Sequence, residues 1–366
     1  MVRPIRVIVV DDSPIMRALI SRTAEKDGDI KVVATVGDSA AARAAIKELE
    51  PDVITLDVEM PGMNGIEFLK KIMELRPMPV VMVSSLTDAG TDIAVQALEI
   101  GATDALPKPG QSTSVNAFGT RLRAALRAGG GARMRPKRPV PHRPVLKDLA
   151  EPLGPSPDVI VLGASTGGVS AIGDILSALP ALPVPMVIVQ HMPDIYVERF
   201  ALRLNKMVPH DVALARDGER IRPGCVRIAP GRGHVRISGH KRSIVTEVAS
   251  GPPVSGHCPS VDVLFRSAAT LNANVLGVLL TGMGKDGASG LCELRSMGAW
   301  TLAQDEATSV VFGMPRVAIE GGGACETLPL PAIGPHIFTL CKGSRVKLAI
   351  PQSERDLSGN AQSKIA

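Results

Sequence analysis

Residues capable of chemistry stand at the ends of apolar runs in this sequence. Ser165 follows Val159–Ala164 between Gly163 and Gly167, His191 follows Met186–Gln190, and Asp286 follows Val275–Leu280 through the turn TGMGKDG. Runs of this length, rich in Val and Ile, have the composition of buried parallel strands. Each residue therefore belongs at the carboxyl edge of an open α/β sheet, where side chains and free helix N–H groups converge. A hydroxyl, an imidazole and a carboxylate gathered there make a nucleophile, a base and an orienting acid for acyl transfer. Ser165 is expected to stand apart from the G-x-S-x-G elbow of ordinary α/β-hydrolases. Spacing alone leaves two other readings open. Isolated Ser, His or Asp residues commonly serve as caps or satisfied polar groups. Gly282, Gly284 and Gly287 also match the G-x-G-x-x-G fingerprint of a dinucleotide-binding oxidoreductase, with Asp305 near the place of its ribose-binding acid.

A second polar set closes the runs of the N-terminal part. Asp11 and Asp12 follow Ile5–Val10, Asp57 follows Val53–Leu56, Ser84 follows Val80–Val83, and Lys108 follows a short strand at Asp104–Leu106. With a further strand at Lys31–Val36, these runs alternate with helical patterns at Met16–Glu25, Ala40–Leu49, Gly65–Leu75, Thr91–Ile100 and Val115–Leu126. That alternation predicts a five-stranded doubly wound sheet. Three carboxylates brought together repel one another unless they share a hard cation such as Mg2+. Once the charge is partly neutralised, one carboxylate can attack a phosphoryl group while lysine and hydroxyl donors hold the transferred oxygens.

The βα alternation resumes through Val159–Leu179 and Met186–Asn205. Short strands at Val212–Ala215, Val226–Ala229, Val235–Ile237 and Ile244–Val248 are expected to form a hairpin excursion at the sheet edge. Val261–Leu271 and Ala288–Met297 read as helices on either side of the strand that delivers Asp286, and Thr301–Gln304 as a late strand. A chain of 366 residues exceeds one core. The division expected is an N-terminal α/β domain over 1–127, a basic Pro/Gly-rich linker over 128–157, a larger α/β domain with a mainly parallel sheet over 158–350, and a polar tail over 351–366. The linker carries Arg133, Arg135, Lys137, Arg138 and Arg143 and has no apolar face, so it reads as a solvated tether.

Composition excludes several classes. The net charge of +5 and the 2% aromatic content supply neither the basic groove nor the stacking rings of a nucleic-acid binder, so no nucleic acid is expected as a partner. The five cysteines lie far apart with no C-x-x-C pair, which points to a reducing compartment and not to disulfides or structural zinc. The start MVRPIRVIVVDD has no signal-like segment and no run reaches membrane length, so a cytoplasmic protein without an integral membrane segment is expected.

Asp11-Asp12, Asp57 followed by Met60-Pro61 and Gly65, Ser84, and Lys108-Pro109 resemble the receiver domain of two-component response regulators. The resemblance spans Ile5–Leu126. It implies that Asp57 is phosphorylated, that Asp11, Asp12 and Asp57 hold Mg2+, that Ser84 is a switch hydroxyl, that Lys108 contacts the phosphoryl group, and that a cis bond precedes Pro109. One departure is Ala105, where receivers commonly carry an aromatic that rotates on phosphorylation.

Gly163-Ala164-Ser165-Thr166-Gly167-Gly168, Gln190-His191-Met192, Ala229-Pro230, His257 with Pro259-Ser260-Val261-Asp262, Leu280-Thr281-Gly282-Met283-Gly284 with Asp286-Gly287, and Gln304-Asp305 through Met314-Pro315 resemble the catalytic domain of the chemotaxis methylesterase family (CheB). With a receiver in front, the resemblance covers nearly the whole chain. It implies a protein-glutamate methylesterase and glutamine deamidase, with Ser165 as nucleophile, His191 as base and Asp286 orienting it. Thr166 and the backbone at Met283 position the carbonyl or its oxyanion. No cofactor is implied for ester hydrolysis, and the loop Thr281–Gly287 becomes catalytic. The implied partners are methyl-accepting chemoreceptors and a chemotaxis histidine kinase, at membrane chemoreceptor arrays. The alternative is a non-catalytic, phosphorylation-dependent scaffold. Cys258 stands where the family commonly has Arg and reads as passive; His257 reads as an entrance residue or a structural hydrogen-bonding group.

Overall fold

The computed structural model describes residues 3–60, 62–85, 87–110, 114–134, 156–241 and 243–342. Its first unit runs β1 (Ile5–Val10), α1 (Pro14–Ala24), β2 (Ile30–Val36), α2 (Ser39–Leu49), β3 (Val53–Asp57), α3 (Gly65–Leu75), β4 (Val80–Ser84), α4 (Asp88–Ile100), β5 (Asp104–Pro107) and α5 (Val115–Gly130). The strands pair in parallel in the order β2-β1-β3-β4-β5. β3 and β4 are buried at every position, as apolar runs covered by helices on both faces must be. Each of α1–α5 is started by its own N-cap side chain, with Ser13, Asp38, Asn64, Thr87 and Ser114 accepting a first-turn N–H.

The second unit runs β6 (Val159–Ala164), α6 (Gly168–Ser177), β7 (Met186–Gln190), α7 (Asp194–Met207), β8 (Asp211–Leu214), β9 (Glu219–Arg220), β10 (Cys225–Ile228), β11 (His234–His240), β12 (Ser243–Ala249), α8 (Val261–Ala269), β13 (Val275–Leu279), α9 (Ala288–Ser296), β14 (Trp300–Gln304), α10 (Met314–Glu320), β15 (Glu326–Leu328) and α11 (Leu330–Cys341). Its main sheet has the order β15-β14-β13-β6-β7-β10-β8, and β11-β12-β9 form a separate sheet. The expected hairpin excursion is therefore smaller than the sequence suggests. β8 and β10 pair in parallel with each other, and β10 pairs with β7, so both extend the main sheet. Only β11, β12 and the short β9 pair in antiparallel fashion. α10, β15 and α11 follow the last strand expected from sequence.

Strand order reverses at β6, which lies between β7 and β13, and in the first sheet at β1, which lies between β2 and β3. Such switch points open a crevice at the carboxyl ends of the strands. Around the second crevice the capping pattern changes: none of α6–α11 has a side-chain N-cap bond. The first-turn amides of α8 and α9 are taken instead by carboxylates supplied by other elements.

The two units share an apolar cluster that runs from Leu98 and Ala105 of the first to Val169, Ile172, Tyr196 and Phe200 of the second. α4 lies against α7. There Arg203 makes a two-pronged contact with Glu99, at 3.0 and 2.6 Å. Arg199 stands 3.6 Å from Asp92, a half-exposed pair worth at most about 1 kcal/mol. Helix α5 extends to Gly130 where the pattern predicts an end at Leu126, and Arg133 donates its backbone N–H to Val310 and pairs with Glu306. The expected linker residues Arg135, Lys137, Arg138 and Arg143, and the tail 351–366, lie outside the described residues. Among the described residues no helix is long and apolar enough to cross a membrane.

Candidate active site and phosphoacceptor site

Ser165 lies in the turn from β6 to α6, stitched to the turn after β13. Its N–H donates to the Thr281 carbonyl at 3.0 Å, and Thr281 Oγ1 donates to the Thr166 carbonyl at 3.0 Å. Gln190 Nε2 donates to the carbonyls of Ser165 and His191 at 2.9 and 2.8 Å, tying the two strand ends together. The expectation that Ser165 stands outside the G-x-S-x-G elbow does not hold. Gly163, Ser165 and Gly167 have that spacing, and the serine occupies a sharp strand-to-helix turn. Gly167 takes φ +78°, and a Cβ there would come within 2.7 Å of Val310.

His191 Nε2 lies 2.8 Å from Asp286 Oδ2. Asp286 is buried and also accepts from Ser260 Oγ at 2.7 Å, Val261 N at 2.7 Å and Asp262 N at 3.1 Å. Burial pushes its carboxyl up, but the donors from His191, Ser260 and Asp262 outweigh that and hold it down at about 2. Because ionised Asp286 can only accept, Nε2 carries the imidazole proton and Nδ1 carries the lone pair. His191 Nδ1 is buried with no hydrogen-bond partner. The serine–histidine bond of an engaged triad is thus not formed, although both residues line one cavity. Catalytic contacts of this kind often tighten only when substrate is bound.

The His257 ring stacks on His191 with centroids 3.8 Å apart and planes 5° from parallel. Burial, then the neighbouring His191, pushes His257 down to about 4, so near neutral pH it is an uncharged plate stacked on the His191 ring. Sequence reading missed this role, that of Gln190 and that of Ser260; the motif Pro259-Ser260-Val261-Asp262 was the available signal. Burial raises the Cys258 thiol, as suits a passive residue. Met283 is half exposed, just before the φ +87° turn at Gly284.

At the other crevice, one ligand atom from each of Asp11, Asp12 and Asp57 lies within 4.8 Å of the others. Lys108 Nζ is 2.7 Å from Asp57 Oδ2 and 3.0 Å from Asp11 Oδ2. Asp11 and Asp57 are buried, Asp12 is exposed, and every donor in the set is a hard oxygen, a combination that fits a divalent cation. Burial pushes the Asp57 carboxyl up, with Lys108 opposing. The cis peptide bond expected before Pro109 is absent. Among the described residues the cis bond precedes Pro259, and Lys108 reaches Asp57 with its N–H bonded to the Ser84 carbonyl. Ser84 Oγ is 3.3 Å from the hydroxyl of Tyr196, a fully buried residue of α7 in the other unit.

The cavity over Ser165 holds only about 30 Å3 and is bounded on one side by residues of the first unit. Ser165, Thr166, Gln190 and His191 form one wall; Leu98, Thr103 and Asp104 form the other. Burial pushes the Asp104 carboxyl up to about 6.

Residues 160–337 match the CheB methylesterase family, and residues 7–117 match the response regulator receiver domain. The chain is 47% identical to protein-glutamate methylesterase/protein-glutamine glutaminase 2 of Bordetella avium, over 92% of this chain and 97% of that protein. It is 48% identical to the protein-glutamate methylesterase/protein-glutamine glutaminase of Chromohalobacter salexigens, over 90% and 94%. For the Escherichia coli K12 protein of the same description the identity is 46%, over 91% and 96%. The chain belongs to the CheB methylesterase family.

In this CheB-family chain the glycine-rich loop has a use other than a dinucleotide. A Cβ on Gly282 would come within 2.7 Å of Ser165 Cβ and would overlap Met314 Sδ. The Gly290 amide in the first turn of α9 is taken by Asp262 Oδ1 at 2.7 Å, and Asp305 Oδ1 is spent on Thr308 N and Oγ1. Gly282→Ala is therefore expected to push the serine off line. A displacement approaching 1 Å lowers kcat by roughly a hundredfold, measured as methanol release, while the receiver still accepts phosphate.

Proposed function

We propose that Ser165, His191 and Asp286 carry out the protein-glutamate methylesterase and glutaminase reaction of this family, under control of phosphorylation at Asp57. The observation that carries this reading is the Nδ1 lone pair of His191, buried and unpartnered over the cavity shared with Ser165, while Nε2 is held by ionised Asp286. Ser165 Oγ attacks the γ-carbonyl of a methylated glutamate as its proton passes to His191 Nδ1. The tetrahedral intermediate collapses with return of that proton to the methoxy oxygen, releasing methanol and leaving an acyl-enzyme. Water, deprotonated by His191, then releases Ser165 and a glutamate carboxylate. A glutamine amide in the same position leaves as ammonia. Thr166 and the backbone at Met283 position the carbonyl or stabilise its oxyanion, where fixed donors lower the barrier most.

The domains follow as a receiver that closes with α5 at Gly130, a linker from there to 157, a catalytic domain over 158–350 and a tail over 351–366. Asp11, Asp12 and Asp57 hold Mg2+, which when bound offsets the charge of the incoming phosphoryl group. Lys108 holds a transferred oxygen and Ser84 is the switch hydroxyl. The partners are methylated chemoreceptors and a chemotaxis histidine kinase, with the protein cytoplasmic and recruited to receptor arrays.

Unphosphorylated, the receiver covers the catalytic cavity. Ser84 Oγ has two competing uses in this scheme: the phosphoryl group on Asp57 and the Tyr196 hydroxyl. Drawing it towards Asp57 breaks the bond to Tyr196 and shifts the population to an uncovered state. Because Ala105 leaves no aromatic on β5, the ring in contact with the switch comes from α7 of the catalytic domain.

Methanol release from methylated receptor membranes, with and without a phosphodonor and Mg2+, tests the reading. Tyr196→Phe removes one buried hydrogen bond, about 1 kcal/mol, so unphosphorylated turnover is expected to rise by up to roughly fivefold and the activation ratio to shrink. Unchanged basal turnover in the variant excludes that contact as a latch. Absence of methanol release under all conditions excludes the esterase reading.

A further inference from the structure

Ser260 is the N-cap residue of α8 and is fully buried, yet its hydroxyl makes no bond to its own helix. A serine at this position ordinarily accepts an N–H from the second or third residue of the helix. Here Ser260 Oγ instead donates to Asp286 Oδ1 at 2.7 Å, and Asp286 takes over the capping, accepting from Val261 N and Asp262 N. The exchange is reciprocal. Asp262, in the first turn of α8, sends Oδ1 to the Gly290 amide in the first turn of α9, directly beyond Asp286, and its Oδ2 accepts from Ser255 Oγ at 2.9 Å. Each of two packed helices is thus begun by a carboxylate from the first turn of, or the turn before, the other. The one before α9 is also the carboxylate that holds His191.

We infer that Ser260 is a positioning residue of the esterase reaction: its hydroxyl fixes the Asp286 carboxylate so that Oδ2 meets His191 Nε2. This rests on the assignment of Ser165, His191 and Asp286 above. The four donors on Asp286 divide between its oxygens, with Ser260 Oγ and Asp262 N on Oδ1 and His191 Nε2 and Val261 N on Oδ2. The two amides belong to a rigid helix end and restrain the carboxylate along the helix axis. The Ser260 hydroxyl is the side-chain donor on the oxygen turned away from His191, so it sets the rotation of the carboxylate plane. It also draws negative charge onto Oδ1, which moderates the pull of Asp286 on an imidazolium. His234 Nδ1 accepts the Ser260 N–H at 3.2 Å and fixes the serine backbone, so the arrangement does not depend on the hydroxyl for folding.

The test uses the full-length chain and methanol release from methylated receptor membranes. Ser260→Ala is expected to lower kcat by roughly ten- to a hundredfold with KM little changed, the range for losing a hydrogen bond to a charged group. The acid limb of kcat/KM moves to higher pH, because a carboxylate with one donor fewer stabilises the protonated base more. Ser260→Thr keeps the hydroxyl at an extended backbone position and restores both kcat and the pH profile. Thermal unfolding of the three proteins and their phosphorylation at Asp57 separate these effects from loss of fold. A Ser260→Ala enzyme with unaltered kcat and pH profile overturns the inference, as does a loss confined to KM or one that Ser260→Thr fails to restore. Ser165→Ala is the companion control. Turnover retained there overturns the assignment of the triad itself, whereas turnover lost there but intact in Ser260→Ala overturns only the role of Ser260.

Discussion

Ser165→Ala is expected to lose ester hydrolysis by a factor on the order of 10^4 to 10^6 while keeping its fold, because it removes the attacking oxygen and little else. The contacts that hold the turn are made by the Ser165 backbone: its N–H to Thr281, and its carbonyl to Gln190 Nε2 and the Gly168 amide. None of these passes through Oγ. His191→Ala falls in the same range, since Ser165 then has no group to take its proton. Asp286→Asn retains more of the shape but supplies an amide where Nε2–H needs an acceptor, and a loss on the order of 10^4 follows from the wrong tautomer. Methanol release by each variant, with circular dichroism as the control for fold, checks the set. Near-normal turnover by folded Ser165→Ala removes the serine mechanism altogether.

Asp57→Ala is expected to abolish the response to a phosphodonor and Mg2+ completely, with basal turnover kept. The substitution deletes the acceptor oxygen, yet leaves Lys108 paired with Asp11 at 3.0 Å, so the lysine is not stranded. It also relieves like-charge repulsion between two buried carboxylates, and the receiver remains folded. Cleavage within 133–143 to remove the receiver gives the complementary result. The cavity loses the wall formed by Leu98, Thr103 and Asp104, and basal turnover rises without a phosphodonor. A cleaved protein no faster than the intact unphosphorylated one would show that covering the site is not how the receiver restrains it. Activation that persists in Asp57→Ala would mean that another residue accepts the phosphoryl group.

Much of both crevices was legible from the linear sequence, for a physical reason. Parallel strands buried on both faces are written as unbroken apolar runs, and the next polar residue marks the carboxyl end where chemistry collects. Asp57 at the end of β3, Ser165 after β6 and His191 after β7 were found in this way, and Asp286 through one more turn. What ends a run was legible; what that end touches was not. The Ser260–Asp286 bond spans 26 residues and the Ser84–Tyr196 bond 112, and each exists only because two helices or two domains pack with particular faces together. Local preference even misleads at Ser260, whose type and position announce an ordinary helix cap, until packing brings a carboxylate from before α9 to do the capping. β8 and β10 looked like hairpin strands because their turns carry Gly and Pro, whereas their parallel pairing is decided by the crossover of α7 from β7. The sequence alone determined which side chains could do the chemistry and at which strand ends they stand. The tertiary structure decided which nitrogen of His191 is free, which hydroxyl meets Asp286, and that the ring facing Ser84 comes from the other domain, because those depend on long-range packing that no local pattern encodes.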